Sequence, residues 1–251
     1  MDGERDWVDR TRSYWNTDAR TYDRSRSHAP DSNVARVAWA TAISELLPDP
    51  PATVLDVGAG TGFLSLAAAR LGHRVTALDL APAMLEMLHR QAEESGLSVE
   101  LVEGDAHDVP ARGFEAVISR HVLWTLPDPV RALASWRKAA PGGRLVLIDS
   151  MWGRADPLQR VREVAGSVLD RVVRGSDGHH APYPEELQES LPFGHGITPD
   201  ELIELVEGAG WCNLRIRRLR DVEWAMAMEL PRTEAPLGVR PIYALSASGR
   251  S

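Results

Sequence analysis

The stretch Val54-Leu55-Asp56-Val57-Gly58-Ala59-Gly60-Thr61-Gly62-Phe63 decides the fold. Its first four residues read as a short buried strand. The glycines that follow stand where a strand turns into a helix, and there they let the backbone approach a ligand closely. The alanine-rich run from Phe63 to Leu71 is the helix. Dinucleotide enzymes carry a related loop, G-x-G-x-x-G, but here Phe63 stands at the place of its third glycine. Asp56, on the strand end before the loop, would repel a pyrophosphate. It suits a ligand with a cationic amino group, or it is a structural cap of the loop.

Downstream of this loop, strands and helices alternate. Arg74 to Leu80 reads as a second strand, and Asp79 near its end stands about 20 residues beyond the loop, where an acid can accept from ribose hydroxyls. Asp79 also serves as a possible helix N-cap before Pro82, and the two roles are compatible. A helix follows over Pro82 to Ser95, with proline in its first turn. Ser98 to Val102 is a third strand, running into Glu103-Gly104-Asp105-Ala106, where an acid can reach an adenine amine. Phe114 to Ser119 is a fourth. Asp128 to Ala140 is a helix stopped by Pro141-Gly142-Gly143, and Arg144 to Asp149 is a fifth strand. This alternation predicts βαβ units, and the right-handed crossover rule makes them a doubly wound sandwich.

The flanks differ. Residues 1–48 read as a helical, polar-aromatic arm broken near Ala29-Pro30-Asp31-Ser32, and residues 49–150 as the ligand-binding core. Residues 151–197 break the rhythm as an insertion, with Gly175 to Gly196 as a loop; insertions at this edge tend to cover the ligand crevice. Residues 198–251 complete the core. Thr198-Pro199-Asp200-Glu201 is a capping box, and Cys212 to Leu219 with Pro241 to Ser246 read as a final antiparallel pair.

The glycine loop, strand-terminal Asp79, Gly104-Asp105-Ala106 and Pro141-Gly142-Gly143 together resemble the ordered motifs of class I S-adenosylmethionine-dependent methyltransferases of the small-molecule, natural-product type. The resemblance covers roughly residues 50–150. It implies an α/β, Rossmann-like, seven-stranded, mostly parallel sheet with helices on both faces and the last strand antiparallel. It also implies S-adenosylmethionine as cofactor and S-adenosylhomocysteine as product. In that family Gly58, Gly60 and Gly62 line the methionyl and ribose part, Asp56 faces the amino end, and Asp79 holds the ribose. Gly104, Asp105 and Ala106 frame the adenine, and Leu80 and Met84 pack near the nucleoside. Met84 reads equally as ordinary core.

Arg120-His121-Val122-Leu123-Trp124 resembles the segment after strand four whose residues lie beside the sulfonium, which makes Arg120 a cofactor contact. His121 is a candidate general base, since an imidazole titrates near neutrality, or else a hydrogen-bonded structural histidine. Tyr14, Tyr22 and Asp23 lie in a segment that resembles the leading helix of such enzymes. Tyr22 is the first choice to lie beside the reacting methyl, with Asp23 in support and Tyr14 second. Trp7 and Trp15 read as core anchors. Trp124, Trp152, His180, Tyr183, Phe193 and His195 are candidates for an acceptor pocket or lid, with Trp124 and Trp152 placed for stacking. Asp177, His179, His180 and His195 invite a metal reading, but adjacent histidines in a loop rarely face one ion, so no metal is expected.

The formal net charge is -8, which argues against a nucleic-acid partner. Arg215, Arg217, Arg218 and Arg220 alternate like the wet face of a strand. No signal segment is evident, no apolar run approaches the roughly 18 residues that span a bilayer, and the only cysteine is Cys212. The expectation is a cytoplasmic enzyme, monomer or homodimer, without a membrane partner. Its acceptor would be a small aromatic or heterocyclic metabolite, in natural-product tailoring, through a nitrogen, an oxygen or an indole carbon as in a tryptophan-derived cyclic dipeptide. The alternatives are a nicotinamide-dependent oxidoreductase, which Asp56 and the loop spacing oppose, and a non-catalytic cofactor-binding protein.

Overall fold

The computed structural model describes residues 2–24, 28, 30, 32–150, 183–194, 196–230 and 239–249. Most of the expected insertion lies outside them, as do Trp152, Asp177, His179, His180 and His195. The elements run α1 (Asp2–Asp18), a 3-10 turn (Tyr22–Arg24), α2 (Asn33–Leu46), β1 (Thr53–Val57), α3 (Phe63–Arg70), β2 (Arg74–Asp79), α4 (Pro82–Glu94) and β3 (Glu100–Glu103). They continue with β4 (Ala116–Arg120), a second 3-10 turn (Leu123–Thr125), α5 (Pro129–Ala139), β5 (Arg144–Asp149), α6 (Glu185–Glu189), α7 (Pro199–Gly208), β6 (Trp211–Arg218), α8 (Arg220–Ala227) and β7 (Tyr243–Gly249).

The seven strands form one sheet in the order β3-β2-β1-β4-β5-β7-β6. β1 to β5 pair in parallel, and β7 runs antiparallel to both its neighbours. The expected architecture is therefore the observed one. Both faces are covered, so the central strands read as continuous apolar runs. Side chains alternate across each strand. Val54, Ala116, Ile118, Val146 and Ile148 pack under α2 and α3. Leu55, Val57, Val117, Leu145 and Leu147 pack under α5 and α7.

Local chemistry explains the helix starts. Ser32 caps α2 by accepting from the Ala35 amide at 3.1 Å, and Asp128 caps α5 by accepting from Arg131. The capping box of Thr198 and Glu201 is formed in full. Trp39, Trp136 and Trp211 are buried core residues, and so, as expected, is Trp7. Arg215 and Arg217 lie on the exposed side of β6.

The structure departs from the sequence reading in three places. The expected loop before Gly196 contains α6, whose Leu187 is buried with Leu191 in the main core. The sequence reading passed over α8. It is short and leaves Trp224 exposed, while Val222 and Ala225, three residues apart, are its buried contacts. β3, β4 and β7 begin two residues later than expected, at Glu100, Ala116 and Tyr243.

Candidate active site

The carboxyl ends of β1, β2, β3 and β4 open onto a cleft roofed by α1 and the first 3-10 turn. The glycine loop forms its floor. The Gly58 and Ala59 amides both donate to the Leu78 carbonyl, pinning the loop to β2. The three glycines have different physical reasons. A Cβ on Gly58 would stand 2.2 Å from Val122, and one on Gly62 only 1.8 Å from Leu88, so both are demanded by protein packing. At Gly60 the nearest atom is the Tyr22 ring at 3.9 Å, leaving this backbone open to the cleft.

Asp79 sits where the loop and α4 meet. One oxygen accepts from the Gly60 amide and the other from the Ala81 amide, both at 2.8 Å. It lines the cleft and ties the glycine loop to the entry of α4, but the N-cap of that helix is Ala81 and not Asp79, because Asp79 accepts from the amide of the cap residue itself rather than from the first turn. Burial pushes its carboxyl up to about 6, against the pull of those backbone donors. Leu80 and Met84 line the same wall, with Met84 buried against Ala19 and Ala81.

At the far end, Gly104, Asp105 and Ala106 line the cleft. Asp105 accepts from both the backbone amide and the ring Nδ1 of His107, the latter at 2.6 Å. Burial opposes ionisation of Asp105, but the His107 bonds together outweigh it and hold the carboxyl below its usual range. Trp136 donates its indole proton to the Ala106 carbonyl at 2.7 Å, fixing this turn from beneath. The sequence reading missed both supports. Trp7 packs edge-on against His107. Among the described residues its buried indole nitrogen finds no hydrogen-bond partner, although Trp7 lines the cleft, which fits a site that takes a polar heterocycle there.

Pleat parity divides the other residues. Asp56 shares a face with Val54, so it points under α3, where Ser65 Oγ donates to it at 2.6 Å. It is 1% exposed, and burial pushes its carboxyl up to about 7. Arg120 shares that face. Its guanidinium lies 4.3 Å from the Phe63 ring centre and 5.0 Å from that of Trp39, and donates to the His28 carbonyl. Burial lowers it to about 10, still charged at neutral pH. Tyr22 lies over Gly60 with the His28 ring stacked on it at 3.9 Å. Burial pushes its phenol up to about 12, partly offset by Arg120, so it keeps its proton and donates rather than abstracts. Burial raises Tyr14 as well.

His121 falls on the opposite face, beside Asp149. Its Nδ1 lies 3.2 Å from Asp149 Oδ1, and its backbone has φ 59, a left-handed conformation uncommon for a residue with a side chain. Such outliers persist where surrounding contacts over-determine them. His121 lines the cofactor cleft and also a second hollow with Ser119, Leu147, Asp149, Ile197 and Leu202. Asp149 was absent from the sequence candidates.

The remaining candidates form a wall rather than a lining. Tyr183 contacts the rings of Tyr14, Trp15 and Trp124 at centre distances of 5.0, 6.0 and 5.2 Å. Phe193 packs onto the main core. Asp23 is engaged by Thr61 and Gln91, on the glycine loop and α4. Among the described residues no group of three or more His, Cys, Asp or Glu could hold a metal, and no helix is long and apolar enough to cross a membrane.

Comparison with known proteins agrees with this geometry. Residues 55–147 match a methyltransferase domain family. A ubiquinone biosynthesis O-methyltransferase of Xanthomonas campestris pv. campestris (strain B100) is 33% identical over 197 residues, covering 76% of this chain and 72% of that protein. One of Cereibacter sphaeroides is 29% identical over 170 residues, 67% of this chain and 63% of its own length. Among solved structures, phosphoethanolamine N-methyltransferase 2 of Haemonchus contortus with S-adenosyl-L-methionine aligns with TM-score 0.62 at 15% identity, over 98% of this chain and 60% of that one. The [4+2]-cyclase SpnF aligns with TM-score 0.57 at 19% identity, over 84% and 80%. These two likenesses speak for the fold. The nicotinamide alternative falls, and the chain belongs to the class I S-adenosylmethionine-dependent methyltransferases.

Proposed function

We propose that this methyltransferase acts on a hydroxyl of a small aromatic acceptor, with His121 as general base oriented by Asp149. The observation that carries the reading is the position of that pair, between the cofactor cleft and the hollow beneath Ile197. The cofactor supplies an electrophilic methyl group on a sulfonium. The protein has to hold the acceptor oxygen in line, take its proton and keep water out. With Asp149 accepting from Nδ1, the lone pair of His121 is on Nε2, ready for the acceptor proton. Leu123, Leu147, Ile197 and Leu202 give the hollow beside the pair an apolar wall. Tyr22 then serves as a proton-bearing donor and cover over Gly60, not as a second base. The hydroxyl is preferred to an indole carbon because curated relatives are named O-methyltransferases.

The test is transfer of labelled methyl from S-adenosylmethionine to a panel of phenols, catechols, indoles and amines. Phenols or catechols should accept label. The His121→Ala variant should lose about 10²- to 10⁴-fold in kcat while S-adenosylhomocysteine affinity stays within threefold. Label appearing on an indole carbon, or on a phenol at an undiminished rate in the variant, would refute the reading.

A further inference from the structure

Asp23 stands next to Tyr22 in the 3-10 turn that roofs the cleft. Both of its carboxylate oxygens are engaged, and by different parts of the core. Oδ1 accepts from Thr61 Oγ1 at 2.5 Å, and Oδ2 accepts from Gln91 Nε2 at 2.9 Å. Thr61 belongs to the glycine loop and Gln91 to α4. Neither donor is a titrating partner that would make Asp23 a proton relay. The rest of the roof is fastened farther along. Asn16 Oδ1 accepts from the Ala83 amide at 2.9 Å in the first turn of α4, and Arg12 donates to the Leu80 carbonyl at 3.2 Å. These two bonds hold α1 at the β2–α4 junction. Asp23 is a side-chain tie that fastens the following turn, and so the Tyr22 ring, down onto the loop at Gly60.

We infer that Asp23 is a positioning residue: its two-sided clasp of Thr61 and Gln91 latches the N-terminal roof over the bound cofactor and sets how fast S-adenosylhomocysteine leaves. A ligand on the glycine loop lies under Tyr22, so its exit requires this turn to lift. Lifting breaks two hydrogen bonds to a carboxylate, which are stronger than neutral ones. The latch acts through Tyr22 and not on the reacting atoms, so it bears on dissociation more than on affinity at the floor of the cleft. It holds whatever the acceptor proves to be.

The experiment loads the intact protein with labelled S-adenosylhomocysteine, chases with unlabelled compound and reads the dissociation rate. Asp23→Ala should raise that rate about 10-fold or more. Gln91→Glu, on the outer side of the latch, should raise it severalfold by setting two carboxylates against each other. The double variant Asp23→Asn/Gln91→Glu restores the pair with donor and acceptor exchanged, and should bring the rate back to within twofold of the parent. Gln91→Glu and the double variant carry the test if Asp23→Ala does not fold. Single-variant rates within twofold of the parent would overturn the proposal. So would an increase that the double variant fails to reverse, since a merely structural defect gives that result.

Discussion

The two halves of the cleft are built on different principles. On the cofactor side, β1, the glycine loop, α3, β2 and α4 are consecutive in the chain, and the Asp79 carboxylate ties them by accepting from the Gly60 and Ala81 amides. On the side proposed for the acceptor, the pairing of β4 with β5 brings His121 to Asp149, and Ile197 reaches them from a third segment. The first half is specified locally and tolerates little change. The second is assembled at a distance, and there chemistry varies without disturbing the scaffold.

The sharpest way to break this contrast lies within the glycine loop. Gly62→Ala puts a Cβ into Leu88 at a position with φ +100, so it should destabilise the fold by about 3 kcal/mol or more. Gly60→Ala has room and should cost about 1 kcal/mol, with its main effect a weaker affinity for S-adenosylhomocysteine. Thermal melts with and without that ligand separate the two. Equal destabilisation at both positions would show that the loop is not divided as described.

On the acceptor side, Asp149→Asn should lower kcat by about 10- to 100-fold, less than His121→Ala, because the base remains but its orientation is lost. Its thermal stability and cofactor affinity should stay close to the parent. A loss of cofactor binding in this variant would mean that the two halves are not separable.

The smallest effect concerns Asp56, a buried acid on the cofactor side. Its folded-state value near 7 lies above that of an unfolded aspartate. Between about pH 4 and 7 the folded protein therefore holds a proton that the unfolded chain releases. The stabilisation is full below pH 4 and is lost as pH rises through about 7. Asp56→Asn, which keeps an acceptor for Ser65, should match the parent near pH 4 and exceed it by on the order of 1–2 kcal/mol at pH 8. Denaturant titrations at the two pH values check this. A difference independent of pH would place the charge elsewhere.

Much of the cofactor side was legible in the sequence because its signals are short-range. The glycine loop, the acids at the strand ends and the capping box at Thr198 are each recognised from a few consecutive residues. Trp136 and His107 hold the Asp105 turn from 30 and 2 residues away, but nothing in their spacing marks that role. α8 escaped because so short a helix gives few repeats of the 3.6-residue period. The place of His121 in the cleft wall was legible from its position after a strand. Its partner was not, because Asp149 reads as the ordinary end of β5.

The sequence alone determined the order of the strands and of most helices and the mostly parallel sheet, and its resemblance to the class I methyltransferases implied the antiparallel last strand and the cleft at the glycine loop. The first two follow from periodicity, turn residues and connection handedness, which are properties of the chain taken a few residues at a time. Only the tertiary structure decided which way each functional side chain faces. The parity of β1 turned Asp56 beneath α3, and the pairing of β4 with β5 set His121 beside Asp149. The packing of the N-terminal turn gave both oxygens of Asp23 to the core. A shift of one residue in any of those registers would send the same side chains to the other face, with no change in the motifs.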